Sequence, residues 1–302
     1  MSKEQEHALR IAQCAQLAML LEVSATPKPG NVDRTHDFED TSFEHFLASA
    51  VGALPALVRA SSSSFGVGAL IRDAVAESMR WHRGGNTHFG TFLLFVPLCM
   101  AAGRHAELVF TPRLGSYLRS SASHIVRTTT VDDSLDFLEA FHMARVKVKD
   151  VDTLDINQEQ TALEIQNRGI TLFDLMQMSA RYDLVAREWV CGFEESFASA
   201  KMITELRARH TLNDAVLVTF LHNLAKRPDT FIAAKQGDEV AMEVSQRACN
   251  IVRHLEARGL HDSLAMIEQF DNELVSAHIN PGSTADIVGA GLLIALLEGM
   301  VV

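Results

Sequence analysis

The chain has 302 residues, 47% of them hydrophobic and 22% charged, which excludes a disordered polymer and predicts a soluble protein with a substantial core. Its 38 acidic residues outnumber its 27 basic ones, and the net charge of −11 argues against a nucleic-acid partner. A few cations and helix N-termini can still make a local pocket for a small anion.

Leu9, Ala12, Gln13, Gln16, Leu17 and Leu20 recur at helical spacing over 4–23, and Pro27 ends that helix. Thr41 or Ser42 can cap a second helix carrying Phe43, Phe46, Leu47, Ala50 and Leu54, with Pro55 either kinking or restarting it. The serines of 61–64 read as a polar break and 65–81 as the next helix, its start weakened by Gly66 and Gly68. Asn86 or Thr87 is the expected N-cap of the apolar helix that runs to Ala102, which puts His88 in its first turn. Helices are expected over 112–123, 132–145, 171–186, 188–209, 212–226, 239–257, 263–278 and 283–300. The charged, β-branched run 146–158 reads as a loop or a lone strand.

There is no Asn-Gly or Asp-Gly hairpin, no alternation of strands with helices and no internal repeat. The expected fold class is all-α: a single-domain multi-helix bundle over 1–302 with a polar pocket between helix ends, a split near 147–158 being the lesser alternative. The apolar runs 89–102 and 287–302 are shorter than the roughly 20 residues that span a bilayer, so core helices and no membrane partner are expected. The last helix either closes the core or completes a homodimer; the sequence leaves both open. Cys14, Cys99, Cys191 and Cys249 form no CxxC pair, and the polar first ten residues are unlike a secretory signal. Free thiols and a cytoplasmic location follow as expectations.

Four segments break the helical pattern with chemistry-bearing residues. In Glu22–Arg34 two prolines and Gly30 frame Lys28, Asn31, Asp33 and Arg34, so a pre-ordered loop presents an ammonium, an amide, a carboxylate and a guanidinium. Glu22, beside a helix C-terminus, is unfavourable for the dipole and invites a balancing cation or metal. The second segment is Asn86-Thr87-His88, and the third is Asp229-Thr230 after a proline turn. In the fourth, Asn280-Pro281-Gly282-Ser283-Thr284-Ala285-Asp286, Ser283 can cap a helix whose free N–H groups suit a phosphate. Each also has a bland reading: a proline-rich connector, helix caps, and a capping box between Ser283 and Asp286. The chain has no P-loop, strand-linked GxGxxG, HExxH or GxSxG, and its thirteen histidines show no zinc-type pairing.

Together the four segments, with Phe89-Gly90 and Gln269-Phe270-Asp271, occur in the order found in the triphosphoribosyl-dephospho-CoA synthase family, which the chain resembles over most of its length. The resemblance implies an all-helical pentosyltransferase that moves the triphosphoribosyl group of ATP to a hydroxyl of dephospho-CoA, releases adenine and uses Mg²⁺. It gives Lys28, Asn31, Arg34, Thr87, Thr230, Ser283 and Thr284 to substrate, and Glu22, Asp33 and Asp229 to metal. Asp286 and His88 become candidate general bases, and Asn86 orients substrate.

The chain departs from better-known members at Phe231, where they carry an asparagine, and at Lys235, where they carry an arginine. It also departs at 35–40 and at Gly282, so a related cofactor precursor is an alternative acceptor. Other readings use the same residues: a Mg²⁺-dependent nucleotide hydrolase or phosphotransferase, or a related enzyme of another cofactor pathway, and, in a different class, a non-catalytic nucleotide-binding helical protein.

Overall fold

The computed structural model describes residues 2–62, 66–145 and 160–302, and among them there are fifteen α-helices and no strand. The expected run 146–158 lies outside the described residues.

Alanine-rich faces bring the first helices close together. In α1 (Lys3–Ser24) the buried positions Ala8, Ile11, Ala12, Ala15, Ala18 and Met19 form one face, which packs on α2 (Phe43–Ser62). The chain then lays α2 on α3 (Val67–Ser78) and α3 on α6 (Val131–Met143). Helix α4 (Phe89–Arg104) is buried on nearly every side, and so is α15 (Gly282–Leu297). A helix that is apolar all round has to lie inside the fold. Helix α15 packs against α1, α4, α10 (Glu194–Arg207) and α11 (Leu212–Lys226), and so lies in the chain's own core. Helix α13 (Asp238–Arg258) packs on α11, and α14 (Leu260–Ser276) packs on α13.

Several boundaries differ from expectation. Pro55 sits inside α2, which neither stops nor restarts there. The helix expected over 171–186 is two, α8 (Leu172–Ser179) and α9 (Leu184–Cys191), with Asp183 capping the second through Ala186 N–H at 2.9 Å. Gly192, at φ 67°, then separates α9 from α10. Three further helices, α5 (Leu114–Arg127), α7 (Thr161–Arg168) and α12 (Thr230–Gln236), complete the set; α7 and α12 lie outside the expected elements. No helix among the described residues is long and apolar enough to cross a membrane.

Candidate active site

Helices α1, α2, α4, α6, α8, α9, α12 and α15 surround a cavity with about 1040 Å³ of empty space, its open mouth included. Its walls differ in character. Phe46, Phe89, Phe137, Phe141 and Phe231 line one part, the rings of Phe89, Phe137 and Phe141 lying 5.8 to 6.2 Å apart. Glu22, Asn31, Asn86, Thr87, His88, Thr91, Asp183, Asn280, Ser283 and Asp286 supply the polar part. The acidic groups of this lining are Glu22, Asp183 and Asp286, and neither a lysine nor an arginine is among the described residues that line it.

Asp286 is held deep in the first turns of α15. Thr91 of α4 donates to its Oδ1 at 2.5 Å, and Gly90 is required beside it, since a Cβ there would lie 2.1 Å from Oδ2. Burial, then the nearby charges of Glu22, Asp183 and Asp229, push the Asp286 carboxyl up to about 8. Burial likewise raises Glu22, Asp183 and Asp229 above the ordinary carboxylate range. His88 moves the other way: burial, with the charges of His82 and Lys28, pulls it down to about 3, so its imidazole is neutral. His88 Nδ1 lies 2.8 Å from Ser49 Oγ, its ring meets Phe46 edge-on at 4.9 Å, and its buried Nε2 has no hydrogen-bond partner.

The structure separates the sequence candidates into two groups. Glu22, Asn31, Asn86, Thr87, His88, Ser283 and Asp286 line the cavity together. Asn31 Nδ2 donates to Asn280 Oδ1 at 2.8 Å, and Asn86 Oδ1 accepts from Phe89 N–H at 3.1 Å. Helix α4 therefore starts at Phe89, with His88 just outside it and not in its first turn.

The remaining candidates are engaged elsewhere. Lys28 is fully buried, and its Nζ donates to the Glu22 carboxylate and to the Glu22 carbonyl at 3.0 Å, so this ammonium neutralises Glu22 and does not line the cavity. Arg34 is exposed and donates to Asn213 Oδ1 at 3.2 Å. Asp229 caps α12 through Phe231 and Ile232 N–H and accepts from both Thr284 N–H and Thr284 Oγ1–H at 2.7 Å. Those four donors match the carboxylate's roughly four lone-pair sites. The start of α15 is thus satisfied by Asp229 at Thr284, where the sequence suggested a phosphate. Thr230 accepts from Leu184 N–H and meets Ser283 Oγ at 3.0 Å, tying α9, α12 and α15 together. No capping box forms at Ser283, because α15 begins at Gly282 and Asp286 turns to Thr91.

Two groupings test the fit of a divalent cation. Asp33, His36 and Asp271 bring ligand atoms within 4.8 Å of one another. Asp33 Oδ1 already accepts from Thr35 N–H, Thr35 Oγ1–H and His36 N–H, and Oδ2 from Lys28 N–H. Asp271 Oδ1 accepts from Gly30 N–H at 2.9 Å, and its Oδ2 meets His36 Nδ1 at 3.2 Å. That trio pins the loop, at Gly30 (φ 73°), to α14. The cavity carboxyls Glu22, Asp183 and Asp286 offer the oxygen donors that a hard cation such as Mg²⁺ prefers, but among the described residues it is Asp33, His36 and Asp271 that converge to ligand spacing.

Asp183 is the functional candidate that sequence reasoning missed. Its signal was an Asp three residues before Ala186 at a helix start, hidden by a helical pattern that runs on through 180–183. Phe231, noted only as a departure, lines the cavity wall with Lys235 Nζ 4.2 Å from its ring centre.

A family model of ATP:dephospho-CoA triphosphoribosyl transferases matches residues 8–301. A Citrobacter koseri protein assigned as a 2-(5''-triphosphoribosyl)-3'-dephosphocoenzyme-A synthase is 27% identical over 293 residues, covering 92% of this chain and 87% of that one. A solved structure from Archaeoglobus fulgidus, assigned as a triphosphoribosyl-dephospho-CoA synthase, superposes with a TM-score of 0.66 at 30% identity, covering 84% of this chain and 99% of that one. The chain therefore belongs to the ATP:dephospho-CoA triphosphoribosyl transferase family, a family of pentosyltransferases.

Proposed function

We propose that the cavity binds the adenosine end of ATP and transfers its triphosphoribosyl group from adenine to a hydroxyl of dephospho-CoA or a related cofactor precursor. One observation carries the residue assignment: the Glu22, Asn86 and Ser283 segments of family resemblance meet at a cavity lined by three carboxyl groups, beside a neutral histidine with an open Nε2.

Breaking the C1′–N bond to adenine builds positive charge on the ribose. Buried carboxylates aimed at that charge stabilise it far more than water does. Asp286, with its carboxyl near 8, carries a proton at neutral pH and delivers it to the departing adenine. The acceptor hydroxyl attacks C1′ as its proton passes to His88 Nε2. Asn86 and Asn31 orient the ribose from the cavity edge, and the Phe89, Phe137 and Phe141 rings provide an apolar seat for a planar base. Mg²⁺, when bound, would neutralise phosphate charge; Glu22 and Asp183 are the cavity carboxylates we assign to meet it through its bound waters, and Asp33 with Asp271 is the closer-set alternative. Lys28 serves by keeping Glu22 in place.

Incubation with ATP, Mg²⁺ and dephospho-CoA tests the reading, with adenine measured by chromatography and product by mass. Adenine release that requires the acceptor, with a triphosphoribosyl adduct, is expected. Phosphate release without adenine makes the protein a hydrolase, and release of neither makes it a binder.

A further inference from the structure

Behind His88 lies a chain of buried polar groups that the catalytic assignment leaves unused. Ser49 Oγ on α2 is 2.8 Å from His88 Nδ1 and 2.6 Å from Ser78 Oγ on α3, and Ser78 Oγ is 3.5 Å from His82 Nε2. Ser49, Ser78, His82 and His88 are all buried. The two helices meet this closely because Gly52, one turn along α2 from Ser49, has no side chain; a Cβ there would lie 2.8 Å from Glu77 O and 3.1 Å from Ser78 Cα. At the far end His82 lies against His45, ring centres 5.6 Å apart, next to the exposed Trp81.

The donor count leaves this chain two complete patterns. Thr87 Oγ1–H donates to Ser49 Oγ at 3.0 Å, so Ser49 has one further lone pair and one proton for its two other partners. In one pattern His88 Nδ1–H donates to Ser49, Ser49 to Ser78 and Ser78 to His82 Nε2, leaving His88 Nε2 as an open acceptor. In the other every bond is reversed, and His88 carries its proton on Nε2. Both patterns satisfy the same groups, so they differ little in energy.

We propose that Ser49 and Ser78 form a hydroxyl relay that sets the tautomer of His88 and passes its proton to His82 at the edge of the fold. The step balances. When His88 Nε2 takes the acceptor's proton, Nδ1 gives its own to Ser49, Ser49 gives one to Ser78, and Ser78 gives one to His82 Nε2. His82, whose Nδ1 is buried and keeps its own proton, holds the transferred one on Nε2 as an imidazolium. Each hydroxyl ends with one proton, and His88 returns to neutral. Ser49 and Ser78 are positioning residues, since they touch no substrate, and the proposal rests on His88 being the base.

Ser78→Ala is the discriminating variant. Without the Ser78 hydroxyl, the side chains left beside Ser49 are Thr87 and His88; with Thr87 Oγ1–H donating to Ser49, the Ser49 proton turns to His88 Nδ1, which fixes His88 as the Nε2–H tautomer. Nitrogen-15 NMR of histidine-labelled protein reads that tautomer with no turnover required, and the melting temperature confirms that the variant is folded. The expected result is a locked Nε2–H tautomer and a kcat lower by roughly 10- to 100-fold with KM little changed, short of the roughly 100- to 10,000-fold that a general base contributes. A His88 tautomer ratio equal to that of the wild type overturns the relay whatever the turnover, and a locked tautomer with wild-type kcat overturns its role in the reaction. Should the wild-type protein release no adenine at all, the functional reading falls while the NMR result still decides the relay.

Discussion

Lys28 and Glu22 show how a charged motif acquires its meaning from its surroundings. A lysine between two prolines, beside polar residues, suggests a phosphate contact in a solvated loop. In the fold its ammonium is fully buried against the Glu22 carboxylate, so its charge is spent inside the protein. Removing one member of such a pair leaves an uncompensated buried charge, which costs about 3–5 kcal/mol, whereas removing both charges costs far less. Lys28→Met should therefore destabilise by that amount in urea unfolding, and Lys28→Met with Glu22→Gln should recover most of it. Equal losses in the single and double variants would mean that the pair is not coupled. Asp33 follows the same rule on the loop: its oxygens are taken by its neighbours' N–H and hydroxyl groups, which makes it first an organiser of the turn.

At the level of elements, the catalytic role proposed for Asp286 depends on how closely α4 and α15 approach. Gly90 in the first turn of α4 gives the Asp286 carboxylate its place, and Thr91 beside it holds that carboxylate by a 2.5 Å hydrogen bond. A methyl group at 90 must move Asp286 off Thr91. Gly90→Ala is expected to keep its helix content by circular dichroism and lose roughly 100-fold in kcat, the scale on which a misplacement of about 1 Å acts. Wild-type turnover would separate Asp286 from the reaction. Asp229 works between elements too, capping α12 with one oxygen and binding the start of α15 with the other. These four hydrogen bonds make Asp229 a buried clamp between the two helices.

For the whole molecule, the buried acids set a pH dependence. Between the ordinary 3.8 of an aspartate and about 8, the folded protein keeps a proton on Asp286 that the unfolded chain releases, so stability falls as pH rises. His88 acts oppositely: between about 3 and 6.5 the unfolded imidazole binds a proton that the folded one does not, so stability rises with pH. The two windows oppose each other up to 6.5, and above that Asp286 continues without this counterweight. Wild-type protein should lose about 2 kcal/mol between pH 6.5 and 8, at about 1.4 kcal/mol per pH unit for one proton. Asp286→Asn should flatten that decline in melting temperature; an unchanged slope would place the titration on Glu22, Asp183 or Asp229, whose carboxyls are raised in the same direction.

Local sequence determined the helices, the all-α class, and the segments that break the pattern and meet at the cavity, because spacing, prolines and caps act over a few residues. The comparisons with relatives agree with the family resemblance those segments carried. Only the tertiary structure decided which polar groups stay open to a ligand. Lys28 turned inward, Thr284 found Asp229 fifty-five positions away, Asp183 emerged where one apparent helix is two, and Ser49 met Ser78 across Gly52. A buried polar group takes the nearest partner that replaces lost water, and that partner is set by packing between distant segments and not by the residues beside it in the chain.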